Sequence, residues 1–462
     1  MKKSVRDQTK QPRALTIAGS DSGGGAGIQA DLKTFAALGV HGMSAITALT
    51  AQNTRQVTSI FPVPPDFVLA QIDAVYSDIG VEAVKTGMLY GAEIIHSVAQ
   101  YLRKHKPQNL VVDPVMVSKS GFALLQRNAV QALKHDLFPL ADIITPNAEE
   151  AGILSGSGKI RSVKQASSVA EKLTSLGPQV VVVKGGHLDQ GRESVDVVYS
   201  RKSGEFSYLR SSRIKTKDTH GTGCVFASAI AAELAKGRRI EQALDTAKIF
   251  VTDAIKYSLR VGRGSGPVNP TGLLVDHAQR YAVLSNLSEA VKILEENGSS
   301  ISKLIPELRT NIGMALEGAK RYEDIAAVPG RITSLPGGRV RAVAPPEFGA
   351  SRHIANSILA ALQFNPDSRA AMNIRYEEKL VGLCKKIGLV VSSYDRSKEP
   401  ADVKKKEGSS TFWGATTAIA DSRVFPDAIY HRGDFGKEPM IVLLGRDAVS
   451  VALKAVKLGA IS

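Results

Sequence analysis

No stretch of this 462-residue sequence approaches the roughly 18 consecutive apolar residues that a membrane-spanning helix requires, so a membrane partner is not expected. Cysteine is almost missing. Cys224 and Cys384 are the only two, which excludes a disulfide framework and makes a reducing cytoplasm the expected location. The segment Met1 to Pro12 is basic and polar and lacks an apolar core, so it reads as a tail rather than a secretory signal. Zinc-ligand spacing, a helix-turn-helix pattern, solenoid repeats and low-complexity tracts are also missing. The formal net charge of +15 is scattered along the chain, and no nucleic-acid partner is expected. That charge suits polyanionic small substrates such as nucleotides and pyrophosphate, or simply a lysine-rich surface. The one basic run, Lys404-Lys405-Lys406, reads as a solvated face.

What is present is a regular alternation. Between Arg13 and about Val261, short β-branched runs (Ala14–Ala18, Ser44–Leu49, Ala83–Thr86, Leu110–Asp113, Ile143–Thr145, Val180–Lys184) are separated by helical patterns. These include Ile28–Leu38, Asp66–Tyr76, Glu93–Lys104, Ala129–Leu137 and Val163–Leu176. This βαβ order predicts an α/β fold with a mostly parallel sheet, whose ligand sites lie at the carboxyl ends of the strands. Val195–Ser200 and Glu205–Leu209 read as a hairpin, followed by helices at Gly223–Ala235 and Ile240–Leu259. Gly262–Pro270 breaks the pattern, and the texture afterwards is that of a second, mixed α/β domain. The expected division is a tail at 1–12, a first domain at 13–275, a linker at 276–286 and a second domain at 287–462.

Two glycine loops carry chemistry. Ala18–Gly27 follows a strand and opens a helix, but it lacks the spacing of a dinucleotide fingerprint. Asp218-Thr219-His220-Gly221-Thr222-Gly223-Cys224 precedes an apolar helix, and consecutive backbone amides at a helix N-terminus form an anion hole suited to phosphoryl transfer. Gly152–Lys159 imitates a P-loop. However, its first glycine is one residue too distant, and Ile160 stands where a metal-binding hydroxyl belongs.

AGSDSGGGAGIQADLKTF, ALTAQNT, VKTGML, VVDPVM, TPNAEEA, VVKGGH, DTHGTGC and GRGSGPVNP occur in one order over about 270 residues. Together they resemble the hydroxymethylpyrimidine/phosphomethylpyrimidine kinases of the ribokinase-like superfamily. The resemblance implies two ATP-dependent phosphorylations of the aminopyrimidine, first to the phosphate and then to the pyrophosphate. It implies pyrimidine contacts at Gly19, Asp31, Gln52, Met88, Val115 and Cys224. ATP and Mg²⁺ would be handled by Asp113, Asn147, Glu150, Lys184, Thr219, Gly221 and Gly223, with Glu150 reaching the metal through water. Sugar kinases of the superfamily carry an aspartate base where this chain has Cys224. At a helix N-terminus that thiol is expected to have a lowered pKa, and sequence leaves open whether it is base or contact. A pyridoxal-type kinase is the competing reading.

In the second half, arginines on Gly/Pro turns precede a helix for which Ser351 is the expected N-cap. Arginines beside a helix start make an anion pocket. ALEGAKRYEDIAAVPGRI, GGRVRAVAPPEFGAS, AMNIRY, YDR, RGDFGKEPM and LGRDA resemble the thiamin-phosphate synthase domain found fused to this kinase. The resemblance implies coupling of the pyrimidine pyrophosphate to hydroxyethylthiazole phosphate. Arg331, Arg339, Arg341 and His353 are the candidate pyrophosphate contacts. Asn373, Arg375, Asp395, Arg432, Asp434 and Lys437 follow, with Asp434 a candidate Mg²⁺ ligand. A ligand-sensing, non-catalytic second half is the alternative. The chain is expected to assemble with copies of itself.

Overall fold

The protein is described here by a computed structural model covering residues 11–117, 121–126, 128–186, 188, 191–405, 409–434 and 437–462. Most of the basic tail and Lys406 therefore lie outside the described residues. The chain divides into two compact units, the first ending at Val275 and the second running from Asp276 to Ser462. Residues 276–286, expected as a linker, are instead part of one continuous helix, Gly272–Glu296. Val283, Leu287, Ala290 and Leu294 are buried in the second unit's core, and this three-to-four-residue spacing is what makes the segment helical.

The first unit's strands are β1 (Arg13–Asp21), β2 (His41–Gln52), β3 (Val57–Pro62), β4 (Ala83–Thr86), β5 (Leu110–Val112), β6 (Ile143–Ile144), β7 (Val180–Val183), β8 (Glu193–Ser200) and β9 (Glu205–Ser212). They form one sheet in the order β3-β2-β1-β4-β5-β6-β7-β8-β9. The pairs from β2 through β7 are parallel, while β3, β8 and β9 are antiparallel additions at the two edges. Alternate residues enter different cores. Leu15, Ile17, Val181 and Val183 face one. Ala14, Val180 and Val182 face the other, which the apolar helix Thr222–Ala235 covers. Burial on both faces explains the unbroken β-branched runs. Two elements differ from expectation. The edge strand β3 was not anticipated. The segment Ala129–Leu137 is a short α-turn that widens into a π-helix at Leu133–Leu137.

In the second unit the strands are β10 (Ile312–Ala315), β11 (Ile325–Ala327), β12 (Ile332–Leu335), β13 (Arg339–Ala342), β14 (Glu347–Phe348), β15 (Ala370–Arg375), β16 (Val391–Ser393), β17 (Ala428–His431) and β18 (Met440–Gly445). The sheet order is β14-β11-β10-β15-β18-β17-β16, antiparallel except for the parallel pair β16 and β17, and β12 and β13 form a separate hairpin. On β15 and β18, Met372, Ile374, Ile441 and Leu443 face the helices Gly272–Glu296 and Ala448–Ile461. Ala371, Val442 and Leu444 face the helices Arg352–Leu362 and Ser409–Ala420. Among the described residues, no helix is long and apolar enough to cross a membrane.

Candidate functional site

A cleft of about 1620 Å³ opens at the carboxyl ends of the first unit's parallel strands. The loop after β1, the residues just beyond β5 and β7, and the start of helix Thr222–Ala235 all reach it. Of the residues singled out from sequence, Gly19, Gln52, Met88, Val115, Asp113, Asn147, Glu150, Lys184, Thr219, Gly221, Gly223 and Cys224 line it.

The helix start is shaped by Gly221, whose φ of +82° is left-handed and whose added Cβ would sit 1.8 Å from the Gly25 carbonyl oxygen. Only glycine allows the two glycine loops to meet this closely. Thr222, Gly223 and Cys224, the first residues of the helix, line the cleft, with the Thr222 amide turned back to the Thr219 carbonyl at 3.4 Å.

One side of the cleft is charged. Lys184 donates to Asp113 Oδ1 at 2.7 Å, and Thr145 donates to the same oxygen at 3.1 Å. Burial opposes the charge on Lys184, but Asp113 and Glu150 raise its pKa above the ordinary value. Asn147 caps the helix Ala148–Ser155, accepting from the backbone of Glu149 and Glu150, and Glu150 Oε2 accepts from the Asn147 amide at 2.8 Å. Burial, with Asp113 adding, pushes Glu150 up to about 7 against the pull of Lys184. Two buried carboxyl groups with one lysine between them suit a cation held through water and phosphate. Among the described residues, no cluster of three acidic, histidine or cysteine side chains would form an all-protein cage.

The opposite side is apolar and amide-bearing. Met88 packs with Ala48, Val57, Leu124 and Val115. Gln52 Nε2 lies 3.1 Å from His220 Nε2, which is itself 3.0 Å from Asp21 Oδ2. Burial raises Asp21, but His220 and the amides of Gly23 and Ala26 outweigh it and hold the carboxyl below its ordinary pKa. Asp21 and His220 were not singled out from sequence, although both lie in the glycine loops that were.

Two expectations are corrected. Asp31 does not line the cleft. Its oxygens are taken by Thr16, Lys85 and Ser228 at 2.7, 2.8 and 2.7 Å, so it anchors the floor beneath the substrate side. Cys224 does not have a lowered pKa. Burial pushes the thiol up to about 11, with Asp31 and Asp113 adding to the rise and Lys85 only partly offsetting it. Desolvation and nearby carboxylates outweigh the helix N-terminus. Lys85, wholly buried in a strand, was missed; a lysine inside an apolar run was its signal. The rejected P-loop-like segment is a helix C-terminus closed by left-handed Gly156.

In the second unit the arginine candidates separate. Arg339 and Arg341 are exposed on β13. Arg331 donates to the Leu308 carbonyl and acts electrostatically on His353. His353 Nδ1 lies 3.1 Å from Thr411 Oγ1, while its Nε2 is buried without a partner among the described residues. Burial, then Arg331, Arg396 and Lys437, push His353 down to about 4. Ser351 occupies the N-cap position but makes no side-chain capping bond. Asn373 ties β15 to residues 309–311 through Asn311 N and the Arg309 carbonyl. Arg375 pairs with Glu377, Arg432 contacts Tyr376 and Glu378, Asp395 caps a short turn through Ser397, and Asp434 pairs with Lys404. Arg396 and His431, which the sequence reading did not single out, are buried, and each is in electrostatic reach of His353.

The Phosphomethylpyrimidine kinase family profile matches residues 21–269, and the Thiamine-phosphate synthase ThiN profile matches residues 286–457. The chain is 52% identical over 255 residues to a thiamine biosynthesis bifunctional protein ThiED of Geobacter sulfurreducens, covering 55% of this chain and about half, 51%, of that relative. It is 34% identical over 440 residues to the bifunctional thiamine biosynthesis protein ThiDN of Methanocaldococcus jannaschii, covering 95% of this chain and 96% of that one. The structure of an ADP complex of Bacillus subtilis pyridoxal kinase superposes with a TM-score of 0.53 at 41% identity, covering 57% of this chain and 99% of that one. With one profile spanning more than half of its length and a relative matched almost from end to end, this chain belongs to the phosphomethylpyrimidine kinase family, in the bifunctional form that carries a ThiN domain.

Proposed function

We propose that the protein is a bifunctional thiamin-biosynthesis enzyme. Residues 13–275 phosphorylate 4-amino-5-hydroxymethyl-2-methylpyrimidine with ATP, first to the phosphate and then to the pyrophosphate. Residues 287–462 couple that pyrophosphate to hydroxyethylthiazole phosphate, giving thiamin phosphate and pyrophosphate. The observation that carries the kinase reading is one cleft with an anion hole, a charged wall and an apolar, amide-bearing wall.

The pyrimidine edge presents adjacent donor and acceptor groups that a glutamine amide matches in pairs, so Gln52 orients the ring. Met88 and Val115 cover its faces. The hydroxymethyl oxygen then faces the amides following Gly221, and the γ-phosphate lies between them and Lys184. Transfer through a loose transition state needs charge and alignment more than a strong base, which agrees with Cys224 remaining a thiol. Asp113, Glu150 and Asn147 would hold Mg²⁺ through its water shell, and the ion would neutralise charge on the phosphates.

In the second unit, departure of pyrophosphate leaves a resonance-stabilised pyrimidinylmethyl cation, which the thiazole nitrogen attacks. The protein's task is to clamp the leaving anion and keep the ring dry. The likeness to pyridoxal kinase supports a second reading, in which the first unit accepts a pyridoxal-type ring.

The test is a product assay with hydroxymethylpyrimidine, ATP, Mg²⁺ and thiazole phosphate. Thiamin phosphate is expected. Pyrimidine pyrophosphate accumulating with no thiamin phosphate would remove the coupling activity. Turnover of pyridoxal in preference to the pyrimidine would favour the second reading.

A further inference from the structure

β16 and β17 are parallel neighbours, with Val391 opposite Ala428 and Ser393 opposite Tyr430. Their carboxyl ends therefore emerge side by side, and the Tyr394 amide continues the ladder to the Tyr430 carbonyl at 3.2 Å. This brings Tyr394 and Arg396 from one strand end next to His431 from the other, where an α/β sheet concentrates ligand contacts. The Tyr394 ring lies 5.2 Å from the His431 ring and 6.0 Å from that of Trp413. His353, at the start of helix Arg352–Leu362, interacts electrostatically with Arg396 and His431 and approaches Thr411 at 3.1 Å.

Arg396 is only 7% exposed. Its sole carboxylate neighbour among the described residues, Glu399, is 3.5 Å away, well beyond the roughly 2.7–2.9 Å of a strong ion pair. Arg396 Nε, Glu399 Oε1 and His353 Nε2 are all buried with no hydrogen-bond partner among the described residues. A guanidinium taken out of water and left half-satisfied is costly unless an anion completes it. His431 adds a defined donor. Its Nδ1 accepts the Gly433 amide at 3.1 Å, which puts the proton of the neutral ring on Nε2. Gly433 sits at φ +84°, and a Cβ there would lie 2.7 Å from the Lys437 carbonyl oxygen, so the turn that presents this amide calls for glycine. Cation and imidazole also sense each other: burial and then Arg396 hold His431 down to about 3.

We infer that Arg396, rather than Arg339 or Arg341, is the buried anion-binding residue of the second unit, gripping the diphosphate through the guanidinium edge left open by Glu399, with His353 and the Nε2 proton of His431 beside it. This deepens the coupling reading and rests on it for the identity of the anion. The planar fork matches two phosphate oxygens at once, which the exposed arginines of β13 do without a dry setting.

The test titrates inorganic pyrophosphate into the full chain by calorimetry, with saturating ADP and Mg²⁺ occupying the kinase cleft. Arg396→Met is expected to weaken binding at least about tenfold and to raise KM for the pyrimidine pyrophosphate, with the kinase rate unchanged. Arg396→Lys is expected to recover only part, because an ammonium lacks the fork. If Arg396→Met fails to fold, Arg396→Lys alone decides, and an affinity equal to wild type overturns the inference. It is also overturned if Arg339→Met abolishes binding while Arg396→Met retains it. Should the wild type form no thiamin phosphate yet bind pyrophosphate through Arg396, the coupling reading falls and the anion site stands. Should coupling proceed unchanged in both Arg396 variants, the reverse holds.

Discussion

Lys85 Nζ lies 2.8 Å from Asp31 Oδ2, and both side chains are fully enclosed. Burial alone would neutralise the lysine, yet Asp31 and the more distant Cys224 and Asp113 raise it to about 12. The pair joins β4 to the helix Gly27–Ala37, and Ser228 of the helix Thr222–Ala235 donates to the same aspartate. The floor of the cleft and the helix that lines it are thus fastened by one carboxylate.

Asp31→Asn is expected to leave Lys85 as an uncompensated buried charge and to cost about 3–5 kcal/mol of stability, measured by urea unfolding. A loss below about 1 kcal/mol would show that the pair does not hold the floor together.

Gln52→Leu keeps the side-chain bulk and removes the amide. The KM for hydroxymethylpyrimidine should rise roughly 10- to 100-fold, with KM for ATP unchanged. Unaltered pyrimidine kinetics would take Gln52 out of the substrate contacts.

Cys224 with a pKa near 11 is almost wholly protonated at neutral pH. Alkylation of its peptide, followed by mass spectrometry, should be slow at pH 7 and accelerate tenfold per pH unit towards about 11. Cys224→Ser should keep kcat within about tenfold, and a loss above a thousandfold would indicate that the thiolate acts as the base.

Glu150→Gln removes one of the two carboxylates proposed to hold Mg²⁺ while preserving most of the helix cap. The Mg²⁺ concentration for half-maximal kinase rate should increase about tenfold or more, and chelation should abolish the wild-type rate. An identical Mg²⁺ requirement would exclude Glu150 from the metal's shell.

His353 and His431 titrate in the folded protein near 4 and 3, below the ordinary 6.5. Between those values the unfolded chain binds more protons, so stability is full above about 6.5 and falls as pH drops. The slope is at most about 1.4 kcal/mol per pH unit for each ring. His431→Gln should flatten the decline between pH 6 and 3 in thermal melts at stepped pH. A curve parallel to wild type would mean that His431 is not held neutral by its surroundings.

Much of the architecture is legible from local pattern. The β-branched runs at 83–86 and 180–183 are strands buried on both faces, whereas the second unit's strands at 370–375 and 440–445, equally buried on both faces, were not read from the sequence. The glycine loop ending at Cys224 is legible as a left-handed turn into a helix because that φ depends on few neighbours. Other features escaped. The edge strand β3 carries Phe61 and other exposed residues that give no clean alternation. The supposed linker is helical because Val283 already belongs to the second unit's core, with Leu287, Ala290 and Leu294 following at helical spacing.

Sequence by itself determined the α/β class, the glycine loops and the set of polar residues from which a site could be built, since these follow from periodicities of two and 3.6 and from backbone freedom. Only the tertiary structure decided what those residues do. Asp31 became an anchor because Ser228, 197 positions away, donates to it. The Cys224 thiol stays protonated because burial among distant carboxylates outweighs the nearby helix end. Arg396 rather than Arg339 or Arg341 lies in the dry cluster because two parallel strands end together there. Charge and accessibility are set by what the fold encloses, and spacing along the chain does not carry that information.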